Sequence, residues 1–249
     1  WNACKGSQQI GHLAGTLHRL VESQEQIATL GYVDTLDEQA VLESMLEGSK
    51  PIYKEDLNSY HYLLSTPFRY PPLKWGSRFG ETTEPSLFYG GNTINVTLAE
   101  SAYYRFVFWN SMSGTPIKQH IKSEHSLLSV NYQSSKGIRL QQAPFNQYKH
   151  DINHPSSYTQ SQQLGAAMRA AGVEVFEYTS ARDPQQETCV GLFTARAFKT
   201  KKPNNMSQWL CETTANEVLF KPADSNTISR FKLDLFLIGN QLPMPAWTY

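Results

Sequence analysis

The sequence has little of what membrane, nucleic-acid-binding and disulfide-rich proteins need. No apolar run approaches the roughly 20 residues of a membrane-spanning helix, and the longest is interrupted by Lys232 and Asp234. The 22 Lys and Arg residues are balanced by 22 Asp and Glu residues, which leaves no excess positive charge for a nucleic-acid backbone. Only three cysteines occur, without a CxxC motif, which favours a reducing compartment. We therefore predict a cytoplasmic protein with no membrane and no direct nucleic-acid partner.

The motifs of several large enzyme classes are also missing. The chain has no GxGxxG, no P-loop, no GxSxG and no HExxH. His150 and His154 are four residues apart, but Pro155 follows them and the segment is typical of a loop. We therefore expect no metal site.

The composition nevertheless suits a folded protein, because 40% of the 249 residues are hydrophobic and 12% are aromatic. Residues 12–48 carry apolar side chains at a spacing of three to four, including Ile27, which predicts two helices. Asp34 or Thr35 would cap the second helix and Gly48 would follow its end. These features predict a helical N-terminal extension over residues 1–60, ahead of a main domain over 61–249.

The main domain mixes short strands with helices. Pro and Gly interrupt short aromatic stretches from residue 66, which predicts short strands and a site built from loops. Helices are predicted from Asn92 or Thr93 to Asn110, and from Ser157 or Tyr158 to a stop at Gly172. Further strands are predicted at 127–132, 137–140, 173–178, 191–198, 209–220 and 228–238. The order predicts an α+β fold with a mainly antiparallel sheet and interior helices.

Candidate functional residues lie among these aromatic stretches and helices. Arg69 and Arg78, on neighbouring short strands, would present planar donor forks that suit a pyrophosphate. Glu100 lies on the apolar side of a helix, where a carboxylate needs a partner or a ligand. A structural Arg–Glu pair that joins strand to helix explains these residues equally well. Ser180 follows a buried strand, where serine more often closes a turn, and no His stands at the spacing of a catalytic triad.

Taken in order, these residues resemble the RES domain, which is named for its Arg, Glu and Ser, and in particular its longer bacterial members. The resemblance runs through SQEQIATLGYVDTLDEQAVLE, LLSTPFRYPPLKWGSRFG, LFYGGNTINVTLAESAYYRF, SYTQSQQLGAAMRAAGVEVFEYTSARD and GNQLPMPAW. It implies a compact fold related to ADP-ribosyltransferases and a toxin silenced by a cognate Xre/MbcA/ParS-type antitoxin. It also implies that NAD is a substrate, cleaved by phosphorolysis to nicotinamide and ADP-ribose phosphate, with inorganic phosphate as co-substrate, or by hydrolysis. No cofactor is implied.

The resemblance also places the family's residues on this chain. The residues that would contact NAD are Arg69, Tyr70, Arg78, Tyr89, Glu100 and Ser180, of which Arg69, Glu100 and Ser180 would be catalytic. Weaker candidates are Arg182 and, as a hydroxyl that opens the later helix, Thr159 or Ser161. Many members have an Asn shortly after the serine, where this chain has Glu187-Thr188.

The chemistry gives each residue a role. Cleavage of the nicotinamide–ribose bond builds positive charge on the ribose, which Glu100 would stabilise. The arginines would hold the diphosphate, Tyr89 would stack on the nicotinamide or ribose, and Ser180 would donate to the carboxamide or place the phosphate.

Two other functions fit the same sequence. A protein mono-ADP-ribosyltransferase would use the same residues, with a protein side chain as acceptor. A non-catalytic nucleotide-binding protein would keep the arginines and use Glu100 structurally. The N-terminal helices would bind an antitoxin, form a homodimer or cover the core.

Overall fold

The computed structural model describes residues 1–23, 29–52, 57–114 and 118–245, so Ile27 and the end of the closing segment, 246–247, lie outside it. The eight strands of the described residues form a single sheet in the order β1-β2-β5-β4-β3-β6-β7-β8. The strands are β1 (Gly11–Glu22), β2 (Phe88–Gly91), β3 (Ile121–Arg139), β4 (Val175–Thr179), β5 (Thr188–Leu192), β6 (Asn205–Thr213), β7 (Glu217–Pro222) and β8 (Ser229–Lys232). Its helices are α1 (Leu36–Ser49), α2 (Tyr62–Arg69), α3 (Ile94–Asn110), α4 (Lys149–Ile152) and α5 (Thr159–Ala170). None of these helices is long and apolar enough to cross a membrane.

The first five strands of this order close into a ring, because β1 pairs with both β2 and β3. Only β3 and β4 run parallel; the other pairings in the sheet are antiparallel. The predicted α+β fold with a mainly antiparallel sheet is therefore confirmed.

Apolar side chains from all five strands of the ring meet in one buried cluster, which includes Leu17, Phe88, Val130, Val175 and Val190. Helix α2 adds Leu63 and Leu64 to this cluster. Helix α3 packs with β6 and β7 in a second cluster, and α5 packs with β4 in a third. Val96, near the start of α3, also belongs to the cluster of α5 and β4, so the two helices meet there beside β4.

The prediction of a helix from residue 12 is wrong, because residues 11–22 form β1, which pairs with β3 from Gly11↔Gly137 to Glu22↔His125. A spacing of four residues places side chains on one face of a helix. Because the side chains of a strand alternate between its two faces, residues four apart also share one face of a strand. Leu13 and Leu17 are buried in that way. A Cβ on Gly15, between them, would lie 2.6 Å from the Tyr132 hydroxyl.

The second predicted N-terminal helix is confirmed as α1. Thr35 is its N-cap and forms a capping box with Glu38, in which each side chain binds the other residue's backbone N–H. Gly48 lies within the helix rather than after it, and Lys50 follows the last turn, ahead of Pro51.

The later elements follow the prediction in type and differ in extent. Thr93 caps α3, and Gly172, with φ 76°, lies just beyond α5. The two strands predicted between 127 and 140 are one strand, β3, and the run 209–220 is divided between β6 and β7. The runs 191–198 and 228–238 each hold a strand that ends early and gives way to a 3-10 turn.

Neither arginine of the predicted strand pair lies on a strand. Arg69 is the last residue of α2. Arg78 lies in a turn that an isolated bridge between Ser77 and Gly80 closes. Pro67 lies inside α2, near its C-terminal end, so the Pro and Gly pattern that suggested strands instead marks a short helix followed by turns.

Candidate functional site

Glu100 and Ser180 form the centre of the site. Glu100 is on α3, and Ser180 directly follows β4. The Ser180 hydroxyl donates to Glu100 Oε1 over 2.5 Å. The Ser180 Oγ in turn accepts the backbone N–H groups of Arg182, at 3.1 Å, and Asp183, at 2.9 Å. Ser180 therefore closes the turn after β4 and directs its only proton to the carboxylate, which fixes Glu100 in position.

Neutral groups surround this carboxylate. The Cys189 thiol on β5 lies 3.8 Å from Glu100 Oε1 and is buried. Burial raises the pKa of Cys189, and the Glu100 charge raises it further. Burial likewise raises the pKa of Tyr178, with added contributions from Cys189 and Glu100. Both groups stay protonated at neutral pH, so they add no negative charge beside Glu100.

Arg78 brings positive charge to the same region. Its Nη1 donates to the His154 carbonyl oxygen over 2.8 Å, and its Cζ lies 4.7 Å from the centre of the Tyr158 ring. Burial opposes the charged form of Arg78, but the nearby Tyr158 and Glu100 raise its pKa above the usual value. Arg78 is therefore a permanent cation within electrostatic range of Glu100.

Arg182 contacts the same tyrosine. It is 5% exposed, and its Nη2 donates to the Pro155 carbonyl oxygen and, over 3.4 Å, to the Tyr158 hydroxyl. Its Cζ lies 3.6 Å from the centre of the Tyr103 ring. Tyr158 directly precedes α5 and is buried, and sequence reasoning treated it only as a helix start. Its contacts with Arg78 and Arg182 come from loops distant in sequence, so no local pattern signals them.

Tyr89 holds the turn that carries Arg78. Its hydroxyl forms a 2.9 Å hydrogen bond with the Ser77 hydroxyl and accepts the backbone N–H of Phe79 over 3.1 Å. Burial raises the pKa of Tyr89 to about 12, so the hydroxyl is neutral. The Tyr89 and Tyr178 rings meet edge to face at 6.4 Å.

Arg69 makes its contacts with the N-terminal region. Its Nη1 donates to Glu47 Oε1 over 2.7 Å, and its Nε donates to the Pro51 carbonyl oxygen over 2.6 Å. Tyr70, which follows it, is exposed, and its carbonyl oxygen accepts from the Ser86 hydroxyl. The contacts that fix Arg69 thus tie α2 to α1, whereas those of Arg78 and Arg182 converge on Tyr158.

The remaining candidates lie near the starts of α5 and α3. Thr159 is exposed at the start of α5, whereas Ser161 is fully buried and donates to the Tyr158 carbonyl oxygen over 3.1 Å. Glu187, in the stretch where the family often has Asn, accepts from the Thr93 hydroxyl over 2.6 Å at the start of α3. These contacts fix the segments that carry Tyr158 and Glu100.

The part of the chain that the structure describes contains no group of three or more His, Cys, Asp or Glu residues placed to hold a metal ion. His154 accepts the backbone N–H groups of Ser156 and Ser157 at its Nδ1, which is the loop role expected for it. The site thus combines one fixed carboxylate, neutral hydroxyl and thiol groups, and two guanidinium groups. Such a site suits an anionic substrate that develops positive charge during reaction.

Comparison with known proteins places this site in a family. No curated protein matches the chain. A family model described as the RES domain matches residues 55–214, a range that includes Arg69, Arg78, Glu100 and Ser180. At the level of the family, this is a toxin-like domain that is NAD-related and associated with toxin–antitoxin partners. Because the match covers more than half of the sequence, the chain belongs to the RES domain family.

Proposed function

We propose that this chain is an NAD-degrading toxin that cleaves the nicotinamide–ribose bond with the help of Glu100. The reaction we propose is phosphorolysis. The observation that carries the proposal is the position of the Glu100 carboxylate. Its Oε1 accepts the Ser180 hydroxyl over 2.5 Å, and its charge raises the pKa of Arg78. Nicotinamide and ADP-ribose phosphate are the expected products, and a cognate antitoxin in the cytoplasm is the expected partner.

The chemistry needs a carboxylate that is in place before the bond breaks. Departure of nicotinamide leaves an oxocarbenium-like ribose, and a preorganised negative charge stabilises that transition state more than it stabilises the substrate. The Ser180 hydroxyl and the Cys189 thiol both contact Oε1 of Glu100. Oε2 is therefore the atom we expect to bind the ribose hydroxyls and to face the developing charge.

The anionic part of the substrate needs a cation nearby. Arg78 is charged and partly buried, and its planar fork suits a phosphate group. The pKa of Tyr89 and of Tyr178 is raised, so neither tyrosine repels the substrate's phosphates at neutral pH. An incoming inorganic phosphate needs the same positive field, which favours phosphorolysis where phosphate is abundant. Water in place of phosphate would make the chain an NAD glycohydrolase with the same residues.

Product analysis tests the proposal. The purified chain is incubated with NAD, with and without inorganic phosphate, and the products are identified by mass spectrometry. We expect nicotinamide together with an ADP-ribose phosphate that forms only when phosphate is present. Phosphate-independent ADP-ribose would instead identify a hydrolase.

Two further outcomes would contradict the proposal. Transfer of a label from the adenylate half of NAD onto protein would identify a protein ADP-ribosyltransferase. Absence of nicotinamide under every condition, with NAD still bound, would identify a nucleotide-binding protein without turnover.

A further inference from the structure

Helix α1 is a part of the molecule that the proposed function does not use. It precedes residue 55, where the match to the RES domain begins. Of its 14 residues, only Gln39 is buried. A salt bridge of 2.7 Å between Glu47 and Arg69 ties its C-terminal end to α2. Most of the surface of α1 is therefore open to a partner.

Large apolar side chains are exposed along one face of this helix. Val41 and Met45 are 59% and 68% exposed, and their spacing of four residues places them on the same face. Leu46 is also exposed, as is Tyr32 at the end of the 3-10 turn Leu30–Tyr32 that precedes α1. Contiguous exposed apolar surface of this kind marks an interaction site.

These side chains line a groove of about 640 Å³ between the turn and α1. Val33 and Leu42 contribute to the same lining. A row of apolar side chains along a groove is the arrangement that receives the apolar face of an amphipathic helix. The shape and lining of the groove thus favour a helix as its occupant.

The charge around the groove has one sign. Residues 29–49 contain no Lys or Arg and five acidic residues, which are Asp34, Asp37, Glu38, Glu43 and Glu47. Asp37 and Glu38 line the groove itself. Of the five, Glu47 alone forms a salt bridge with another described residue. A partner that complements this surface must bring positive charge.

The same charge disfavours two other occupants. A second copy of the chain would place the same acidic residues against each other, and like charges across an interface oppose association. Anionic lipid headgroups attract basic segments, so an acidic groove has no such attraction to a membrane surface.

We propose that the groove between residues 29–33 and α1 binds a basic amphipathic helix of a partner protein. Apolar side chains four residues apart on that helix enter the groove beside Val41 and Met45, and its Lys or Arg side chains face Asp37 and Glu38. The groove shares no residue with the site around Glu100. The proposal therefore stands or falls independently of the proposed function.

Fluorescence anisotropy tests the proposal with two synthetic helical peptides as probes. Both peptides carry Leu at helical spacing on one face, and the opposite face carries Lys in one peptide and Glu in the other. We expect the full chain to bind the Lys peptide at least about 10-fold more tightly than the Glu peptide, and added salt to reduce the difference. Equal binding of the two peptides, or binding of neither, would overturn the proposal.

A variant locates the binding in the groove. Met45→Ser removes an apolar side chain from the lining, and we expect it to weaken binding of the Lys peptide about 10-fold. Met206→Ser is the matched control, because Met206 is also exposed but lies on β6, outside the groove. It should leave the dissociation constant within about twofold of wild type. Equal weakening by the two variants, or none by Met45→Ser, would contradict the proposal.

Two further measurements identify the alternative occupants, and we expect both to be negative. Light scattering after size exclusion would reveal a dimer of the chain; if Met45→Ser dissociated it, a second copy would be the occupant. Binding to phosphatidylserine vesicles that Met45→Ser abolishes would identify a lipid surface instead. Either result would overturn the proposal.

Discussion

Replacing Glu100 by Gln removes one charge from the site and little else. The amide has the shape of the carboxylate, and its oxygen still accepts the Ser180 hydroxyl that Glu100 Oε1 accepts at 2.5 Å. The turn formed by Ser180, Arg182 and Asp183 has no reason to change. Any effect on turnover therefore reports the charge rather than the fold.

The expected loss of rate follows from Coulomb's law. A unit negative charge about 4 Å from a full positive charge is worth about 4 kcal/mol at an effective dielectric constant of about 20. That energy corresponds to roughly 1,000-fold in rate. The charge on the ribose is incomplete in the transition state, and single electrostatic contributors typically supply 100- to 1,000-fold. We therefore expect Glu100→Gln to lower kcat by at least roughly 100-fold.

The assay is the initial rate of nicotinamide release at saturating NAD, with the thermal midpoint of each variant measured alongside it. Glu212→Gln is the matched control, because Glu212 lies on β6 and pairs at 3.9 Å with Lys122, outside the site. A Glu100→Gln rate within about fivefold of wild type, for a variant that folds normally, would refute the role of the carboxylate, because single electrostatic contributors supply much more. A comparable loss in Glu212→Gln would show that the effect is not specific to the site.

Three further predictions concern the support of the site and the stability of the fold. Ser180→Ala leaves Glu100 without the hydrogen bond that orients it, and we expect kcat to fall about 10-fold with KM nearly unchanged in steady-state assays; a change in KM alone would contradict this. Gly165→Ala would place a Cβ 2.0 Å from the Phe79 carbonyl oxygen, so it should cost about 1–3 kcal/mol of unfolding free energy. In contrast, a Cβ on Gly48, inside α1, would have no atom within 4 Å, so Gly48→Ala should raise the free energy of unfolding by about 0.5–1 kcal/mol. Chemical denaturation measures the free energy of unfolding of both variants. Burial lowers the pKa of His125 below 6.5, so the unfolded chain binds more protons as the pH falls through that value. The free energy of unfolding should therefore fall between pH 7 and pH 5, and it should fall less in His125→Gln. A pH dependence of stability in that variant identical to that of wild type would contradict this prediction.

The sequence predicted those elements whose signals are local. Thr35 and Glu38 identify the start of α1 because a capping box involves residues only three apart. Thr93 and Gly172 mark the limits of α3 and α5 in the same way, through a cap and through a residue with positive φ. Such contacts depend on neighbours in the chain, so the residue types alone indicate them.

The strand β1 could not be predicted in that way. Its apolar residues Leu13 and Leu17 fit a helix and a strand equally well, and the choice depends on pairing with β3, more than 100 residues away. The local pattern predicts burial of one face but not the partner that buries it. The same limit made Arg69 a strand residue in the prediction, although it ends a helix.

The same dependence on contacts distant in sequence explains why only part of the site was predicted. The pair Glu100 and Ser180 was named among the candidates, and the structure joins the two by a hydrogen bond. Cys189 and Tyr158 were missed, because their importance comes from contacts made across β5 and the start of α5. The catalytic roles of Glu100 and Ser180 remain predictions for the variants above.

The most direct test of the central claim is a time course of nicotinamide release from NAD by the purified wild-type chain, with the loss of NAD recorded in the same samples. The account predicts that nicotinamide appears in step with the disappearance of NAD over many turnovers. A folded chain that binds NAD and leaves its nicotinamide–ribose bond intact, with and without phosphate, would contradict the account.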